Sequence, residues 1–208
     1  WLAHPAIQPR YQCRVATLHA QPTGWRLLDA EGSVLVDADA VVIANACDAV
    51  NLLPELNKLQ AVRGQINIVS KDVLPQVNCV VAREGYVSPT PDGSHVVGAT
   101  YDYVTDCKMS PATSAKDDAE NRARLATILP GARADTFPGR ASYRAVMPDR
   151  FPLLGPMLDR THLYLATGYA SRGVGLAALL AETLASMICD EPLPLERDLV
   201  KAMVAGRR

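Results

Sequence analysis

The segment His162-Leu-Tyr-Leu-Ala-Thr-Gly-Tyr-Ala-Ser-Arg-Gly-Val-Gly-Leu-Ala-Ala-Leu-Leu-Ala-Glu-Thr-Leu-Ala-Ser-Met-Ile-Cys189 joins a short apolar run, a glycine-rich turn and a longer apolar run without spare residues. Residues 162–167 have the length and composition of a buried strand, and the apolar positions between Leu176 and Ile188 recur at helical spacing. Ser171 is suited to cap this helix, which we expect to begin just after Gly173. The sequence therefore predicts a strand, a tight turn and an amphipathic helix in direct succession.

Three glycines, at positions 168, 173 and 175, surround the expected start of the helix. Glycine lets another molecule approach the main chain closely, and the N-terminus of a helix favours negative charge. These properties suit a turn that binds a cofactor. A strand and a helix that only pack against each other through a glycine turn would have the same spacing.

The composition is that of a globular protein with a sizeable core. The chain has 208 residues, of which 49% are hydrophobic and 21% are charged. Its net charge of −1 gives no overall attraction to phosphate, and the basic cluster of Lys201, Arg207 and Arg208 is equally well explained by a solvated terminus. We expect no contact with a membrane, because no apolar run approaches the length that a bilayer requires.

Neither the cysteines nor the histidines are spaced like a metal site. The five cysteines are far apart and form no CxxC pair, which argues against a disulfide framework and against zinc. The four histidines have no ligand spacing either, so we predict no metal. A reducing cytoplasm fits this cysteine usage.

The remaining sequence predicts a mixed α and β fold that contains an antiparallel sheet. Ser114-Ala-Lys-Asp117 has the spacing of a capping box and predicts a helix through about Ile128, ended by Pro130-Gly131. Turn residues occur at Ala30–Ser33 and at Pro91–Gly93. The expected strands cover residues 11–20, 25–28, 41–44, 62–69, 79–82, 86–88 and 96–100.

Several motifs occur in a characteristic order along the chain. They are Arg63-Gly-Gln65, Gly85-Tyr-Val-Ser-Pro89, Val97-Gly-Ala-Thr-Tyr101, Arg144 with Pro148-Asp149 and Pro152-Leu-Leu-Gly155, and the glycine turn. This order resembles that of the flavin-dependent amine oxidases typified by D-amino acid oxidase and glycine oxidase. The resemblance implies FAD as cofactor, in a partial Rossmann-like FAD-binding domain interleaved with an antiparallel-sheet substrate domain.

The resemblance also implies a division of the chain into domains. Residues 1–60 would be the later part of the FAD-binding domain, and residues 61–145 the substrate domain. Residues 146–192 would return to the FAD-binding domain, and residues 193–208 would be a C-terminal tail.

By the same resemblance, three parts of the chain would contact FAD. Ala44 and Asn45 would end a strand that leads beneath the cofactor, and Arg63 and Gly64 would run near the flavin ring. Arg172 would either favour negative charge on the reduced flavin or donate to backbone carbonyls at the end of the preceding strand. Arg63 has the alternative of a solvated strand residue. The residues expected from the glycine turn are Gly168, Ser171, Arg172, Gly173, Val174 and Gly175.

Arg144 matches the position at which this family places an arginine for the substrate carboxylate. A guanidinium can meet a carboxylate with two parallel hydrogen bonds and stays charged at any working pH. The alternative is a structural arginine paired with an acid such as Asp149. Tyr86 and Tyr101 would either close the substrate pocket or pack with one satisfied hydrogen bond each.

A narrower resemblance concerns the end of the chain. Ser171-Arg172-Gly173, followed by the helix and by Asp190-Glu-Pro-Leu-Pro194, is similar to the oxidoreductase part of bifunctional enzymes that modify the wobble uridine of tRNA. It implies that the partners are a tRNA bearing 5-carboxymethylaminomethyl-uridine and a methyltransferase part that uses S-adenosylmethionine. The alternatives are an oxidase of a free amino acid or sarcosine, and a fragment without flavin binding.

The glycine fingerprint GxGxxG is not found in this sequence. Flavoproteins of this type hold the pyrophosphate of the cofactor with that fingerprint. We therefore expect the chain to be the carboxyl-terminal portion of a longer protein. A divergent complete protein with another cofactor site is the alternative.

Overall fold

The computed structural model describes residues 4–74, 77–105, 111–134 and 137–206. These residues form a mixed α and β fold that divides into two compact units. The sheet unit comprises Leu59–Pro148, and the terminal unit comprises the residues before and after it. The divisions lie beside residues 60/61 and 145/146, where the resemblance to flavin-dependent amine oxidases puts domain boundaries.

Short strands outnumber helices along the described chain. The strands are β1 (Thr17–Gln21), β2 (Gly24–Leu28), β3 (Val34–Ala38), β4 (Val41–Ile43), β5 (Gln60–Val69), β6 (Val81–Ala82), β7 (Tyr86–Pro89), β8 (His95–Gly98), β9 (Asp102–Val104), β10 (Gly139–Val146), β11 (Leu153–Pro156) and β12 (Leu163–Thr167). The helices are α1 (Ala49–Leu52), α2 (Ala115–Ile128), α3 (Gly173–Cys189) and α4 (Arg197–Lys201).

The terminal unit contains two small sheets. One is the antiparallel sheet β1-β2-β3. In the other, β12 lies in the centre, antiparallel to β11 and parallel to β4. Leu163 and Leu165 of β12 are completely buried, as expected for a central strand next to a parallel neighbour.

Helix α3 packs one side against this second sheet. Its Leu180 and Leu184 form a core cluster with Leu154 of β11 and Met203, which follows α4. Since Met203 is buried, this part of the C-terminal tail is packed rather than a frayed terminus. The predicted cap is wrong, because Ser171 lies in a 3-10 turn before the helix and Arg172 occupies the cap position without a side-chain cap.

By length and composition alone, the segment Ala170–Cys189 is long and apolar enough to cross a membrane. The expectation that no apolar run approaches that length is therefore wrong. Core helices of soluble proteins meet the same criterion. The described chain offers no other segment that does so.

The sheet unit is built on β5, its longest strand. The strand order is β10-β5-β8-β7-β6, with β9 also paired to β5. Residues in register on antiparallel strands lie on the same face of a sheet. On one face, valines such as Val69, Val87 and Val97 pack against Leu125 and Ile128 of α2.

The opposite face, which we name the open face, bears no helix of the sheet unit among its described elements. The register places on this open face Gly64 and Ile66 of β5, Tyr86 of β7, and Arg140 and Arg144 of β10.

A buried polar network ties α2 to β5. Gln65 Nε2 and Asn67 Nδ2 each donate to Asp118 Oδ1 at 2.6 Å, and Asn121 Nδ2 donates to Asn67 Oδ1 at 2.8 Å. Ser114 caps the helix as predicted, accepting a hydrogen bond from the Asp117 backbone N–H. Because buried polar groups are costly unless paired, the network fixes one orientation of the helix on the sheet.

Sequence patterns missed four strands of the described chain. β3, β9, β10 and β11 were not predicted, and the expected strand 11–20 begins only at Thr17. Strand formation depends on the partners in the sheet more than on local composition, and β10 has the polar residues Arg140, Ser142 and Arg144 on its open face, where an apolar alternation would have been recognised. The turn at Pro91–Gly93 is confirmed, since Asp92 accepts hydrogen bonds from Thr90 and Ser94, which lower its pKa to about 2.

Candidate functional site

Arg144 lies on the open face with most of its hydrogen-bonding capacity unused. Among the described residues, its hydrogen bond is from Nη1 to the Thr100 carbonyl, at 3.4 Å. Its guanidinium carbon lies 5.6 Å from the centre of the Tyr101 ring. No carboxylate described in the sheet unit is within salt-bridge distance. The guanidinium is therefore positioned to form two parallel hydrogen bonds with a carboxylate from outside the sheet unit.

Gly64 makes room for this arrangement. A Cβ at position 64 would overlap Nη1 of Arg144, so the guanidinium lies directly over the glycine. Sequence reasoning named both residues but assigned Gly64 to the cofactor. The geometry places Gly64 directly beneath Arg144, and its contact with the cofactor stays a prediction.

Two of the three tyrosines discussed for the sheet unit lie together, and the third lies apart from them. Tyr101 meets Tyr103 edge to face at 5.7 Å, and the two are 41% and 57% exposed. Tyr103 was missed because its strand, β9, was missed. Tyr86 lies on β7, three strands away from β10, which is about 14 Å at the usual strand spacing. The structure thus joins Arg144 with Tyr101 and leaves Tyr86 apart.

Arg63 lies on the opposite face of β5 and is fully engaged there. It forms an ion pair with Asp117 and donates to Gln65 Oε1 at 3.2 Å and to the Ala112 carbonyl at 2.5 Å. The Arg63 side chain is 16% exposed and that of Asp117 is 3% exposed. These contacts describe a structural arginine at the base of α2 rather than a solvated one.

The ion pair shifts the titration of Asp117. Burial alone would raise the pKa of this carboxyl, but hydrogen bonds from Arg63 and Ser114 outweigh burial and hold the pKa below its ordinary value. The charged pair therefore stabilises the fold above that ordinary value, and the stabilisation is lost as the pH falls through the lowered pKa.

In the terminal unit, two predicted cofactor segments meet at one sheet edge. Because β4 and β12 are parallel, Ala44 and Asn45 after β4 lie at the same edge as Gly168 after β12. The Thr167 hydroxyl links the two turns by donating to the Ala46 carbonyl at 3.1 Å. Ligands of α/β proteins bind at the carboxyl ends of parallel strands, which is this edge.

The start of α3 leaves space that no described residue fills. A Cβ at Gly175 would meet no atom within 4 Å, and at Gly173 the nearest contact would be Tyr169 Cβ at 3.7 Å. Val174 between them is 99% exposed. Packing within the described chain therefore does not require glycine at position 175. The vacant side fits a group that approaches the backbone, such as a dinucleotide cofactor.

The two remaining residues of the turn have separate surroundings. The Arg172 guanidinium donates to a backbone carbonyl, but the acceptor is Arg150 before β11 and not a residue at the end of β12, where the carbonyl alternative placed it. Ser171, in the 3-10 turn, is exposed. Tyr169 is partly buried beside the turn, and this burial raises the pKa of its phenol.

A family model described as "FAD dependent oxidoreductase" matches residues 6–187. The chain belongs to this family of FAD-dependent oxidoreductases. FAD is the cofactor of the family, and the glycine turn at the start of α3 has the vacant backbone surface that such a cofactor needs.

Two curated relatives carry the same name, tRNA 5-methylaminomethyl-2-thiouridine biosynthesis bifunctional protein. The one from Thiobacillus denitrificans is 45% identical over all of this chain and 35% of its own length. The one from Burkholderia vietnamiensis is 35% identical over 93% of this chain and 33% of its own length. The chain thus spans about a third of the length of these relatives.

Solved structures of amine oxidases share the fold. Glycine oxidase from Geobacillus kaustophilus matches with a TM-score of 0.80 and 21% identity, covering 94% of this chain and 52% of its own. Iminodiacetate oxidase from Chelativorans sp. BNC1 matches with a TM-score of 0.72 and 21% identity, covering 86% and 50%. The predicted D-amino acid oxidase-like fold of mixed α and β structure is confirmed.

The first prediction concerns Arg63. Arg63→Met should lower the free energy of unfolding by about 3 kcal/mol at neutral pH, because it leaves the Asp117 carboxylate buried and unpaired. The deficit should shrink as the pH falls, because burial without Arg63 raises the pKa of Asp117 above its ordinary value of 3.8 in the variant, and the wild-type pair loses its contribution as the pH falls below that value. Urea unfolding followed by circular dichroism at several pH values measures both effects.

Arg133→Met is the matched control, since Arg133 is exposed and has no hydrogen bond or ion pair among the described residues. An equal loss in both variants, or a deficit that does not change with pH, would contradict the structural role of Arg63.

The second prediction concerns Gly64. Gly64→Ala should displace the Arg144 guanidinium, whose end is flexible, and should therefore change stability by less than about 1 kcal/mol. It should raise KM for a substrate that Arg144 binds by its carboxylate. Steady-state kinetics measure KM, and thermal unfolding of the same preparation measures stability. A large loss of stability with a normal KM would refute this role of Gly64.

The third prediction concerns Gly175. Gly175→Ala should stabilise the isolated chain by up to about 1 kcal/mol, because alanine favours a helix and meets no atom there. The same change should weaken FAD binding, because the added methyl group occupies the vacant backbone surface. Thermal unfolding without FAD and fluorescence titration with FAD measure the two effects. Unchanged FAD affinity would exclude this surface from the cofactor site.

Proposed function

We propose that this chain is the oxidoreductase part of a bifunctional tRNA-modifying enzyme. Its reaction would remove the carboxymethyl group from 5-carboxymethylaminomethyl-uridine at the wobble position and leave the aminomethyl form. The observation that carries this proposal is the Arg144 guanidinium, which lies over Gly64 on the open face without a carboxylate partner among the described residues of the sheet unit. The 45% identity to a tRNA-modifying relative over the whole chain supports this choice of substrate.

The substrate side chain is in effect an N-substituted glycine. Its carboxylate is bonded to the same methylene carbon as its nitrogen, so anchoring the carboxylate also places the carbon that must react. Arg144 would form two parallel hydrogen bonds to that carboxylate. Tyr101 limits the orientations of the guanidinium by contact with its aromatic ring.

FAD, when bound, supplies an acceptor for a hydride from the methylene carbon. Gly173, Gly175 and the turn at Ala44–Asn45 would hold the cofactor. The methylene carbon would lose a hydride, which carries two electrons. The amine nitrogen would lose its proton to solvent. Water would then hydrolyse the resulting imine to the aminomethyl nucleoside and glyoxylate. In this scheme the described residues act by binding and positioning.

The complete protein would also contain a methyltransferase part that methylates the aminomethyl product with S-adenosylmethionine, and it would act in the cytoplasm. The names of the curated relatives support a second activity, since they describe a bifunctional protein.

A second candidate is an oxidase of small amines. It is favoured by the structural neighbours, whose names describe oxidation of glycine and iminodiacetate. Both compounds carry a carboxylate next to the amine, so Arg144 suits either class. The two candidates differ in whether the modified tRNA or the free amine is the better substrate.

The fourth prediction tests the proposal in the full-length protein loaded with FAD. Arg144→Gln should lower kcat/KM for tRNA bearing 5-carboxymethylaminomethyl-uridine by about 100-fold, because two charge-assisted hydrogen bonds are lost. Arg144→Lys should be intermediate, since an ammonium keeps the charge but not the fork. Release of glyoxylate and loss of visible flavin absorbance without oxygen measure turnover.

Arg133→Gln serves as the control that removes one exposed positive charge elsewhere in the sheet unit. Unchanged turnover in Arg144→Gln would refute the carboxylate anchor. If sarcosine or glycine competed with the modified tRNA on equal terms, the small-amine candidate would replace the tRNA substrate.

A further inference from the structure

The open face carries a second arginine beside the carboxylate anchor. Arg140 is in register with Ile66, as Arg144 is with Val62, so both arginines project from β10 to the same side. They are four positions apart, which corresponds to about 13 Å along an extended strand. Ser142 lies between them on the same face, in register with Gly64.

No described residue neutralises Arg140, which is also true of other arginines of the sheet unit such as Arg133 and Arg144. It is exposed and has no hydrogen bond, ion pair or ring contact among the described residues. In contrast, Arg63 pairs with Asp117 and Arg124 with Glu120. An exposed guanidinium without a carboxylate keeps its full attraction for an external anion.

The strands of the open face contribute no acidic residue that would oppose this charge among the described positions. On β5 this face presents apolar residues and glycine, from Val62 through Gly64 and Ile66 to Ile68. Asp102 of β9 is in register with Arg63, which places it on the other side of the sheet. The two arginines therefore give the face a positive potential that the net charge of the whole chain conceals.

An apolar floor with an aromatic side chain at its far end lies across the sheet from Arg140. The row in register runs from Arg140 through Ile66 and Gly98 to Tyr86. Ile68, one position further along the face, is 39% exposed. Cations beside a flat apolar and aromatic floor are how proteins bind single-stranded RNA, with phosphates on the cations and bases on the floor.

We propose that the open face binds the anticodon loop of the substrate tRNA and that Arg140 contacts a backbone phosphate while Arg144 holds the carboxylate of the modified base. This inference rests on the proposed function. A small amino acid offers one anion and needs one arginine, whereas a nucleotide with a carboxylated base offers two anions of different chemistry. Arg140 would therefore favour the nucleotide over a small amino acid. Tyr86, at the end of the same row, would stack on a base of the loop.

The fifth prediction uses the full-length protein and a tRNA bearing 5-carboxymethylaminomethyl-uridine at the wobble position. Arg140→Gln should weaken binding about fivefold at moderate salt and reduce the slope of log Kd against log salt by about 0.7, the value for one phosphate contact to a single strand. Arg140→Lys should keep the slope, because it keeps the charge. Filter binding across a series of salt concentrations gives both quantities.

Arg133→Gln is the matched control, since it removes the same exposed charge from the loop after α2, the helix on the opposite face. It should change neither Kd nor slope. Thermal unfolding and flavin content of each variant identify any general loss of folding.

Failure of the proposed function and failure of the role of Arg140 give different results. If the wild-type protein releases no glyoxylate from the modified tRNA, the proposed function fails and this inference fails with it. If the wild-type protein processes the tRNA and Arg140→Gln keeps its affinity and salt slope, only the role of Arg140 is overturned. An equal reduction of slope in Arg133→Gln would overturn it as well.

Discussion

Pairing between β5 and β10 determines which side chains share a face of the larger sheet. With Arg144 opposite Val62, every second residue of both strands projects to the open face, and the residues between them project toward α2. A shift of β10 by one residue would exchange Arg144 for Tyr143 on the open face, and a shift of β5 would turn the polar side chains Gln65 and Asn67 away from the helix. The polar network on one side and the arginine on the other thus enforce the same register.

The parallel pair β4 and β12 has a corresponding role in the terminal unit. Residues more than 120 positions apart meet at one sheet edge because both strands end there, and the Thr167 hydroxyl fixes their turns to each other. The glycine turn then enters α3 directly. Each unit therefore presents its candidate residues from the ends or faces of paired strands, which hold side chains more firmly than loops do.

Local sequence patterns predicted what local forces determine. The strand β12, the helix α3 and the cap of α2 by Ser114 depend on residues that are neighbours in sequence, and all three are present. The partner of Arg63 is 54 positions away, so local sequence patterns could not predict its ion pair with Asp117. Tyr103 was also not predicted from local sequence, because its strand of three residues, β9, is formed by pairing with β5.

The roles of the arginines follow from how their hydrogen bonds are used. A guanidinium has five donors, and the fold has already matched those of Arg63 with a carboxylate, an amide oxygen and a carbonyl. Arg144 uses one donor in a weak bond of 3.4 Å and otherwise contacts an aromatic ring, which restricts its orientation without neutralising its charge. An arginine whose orientation is restricted and which no described carboxylate neutralises can bind an external anion at a lower cost in side-chain entropy. That distinction, which the sequence motif alone cannot make, is what favours Arg144 over Arg63 as the proposed substrate anchor.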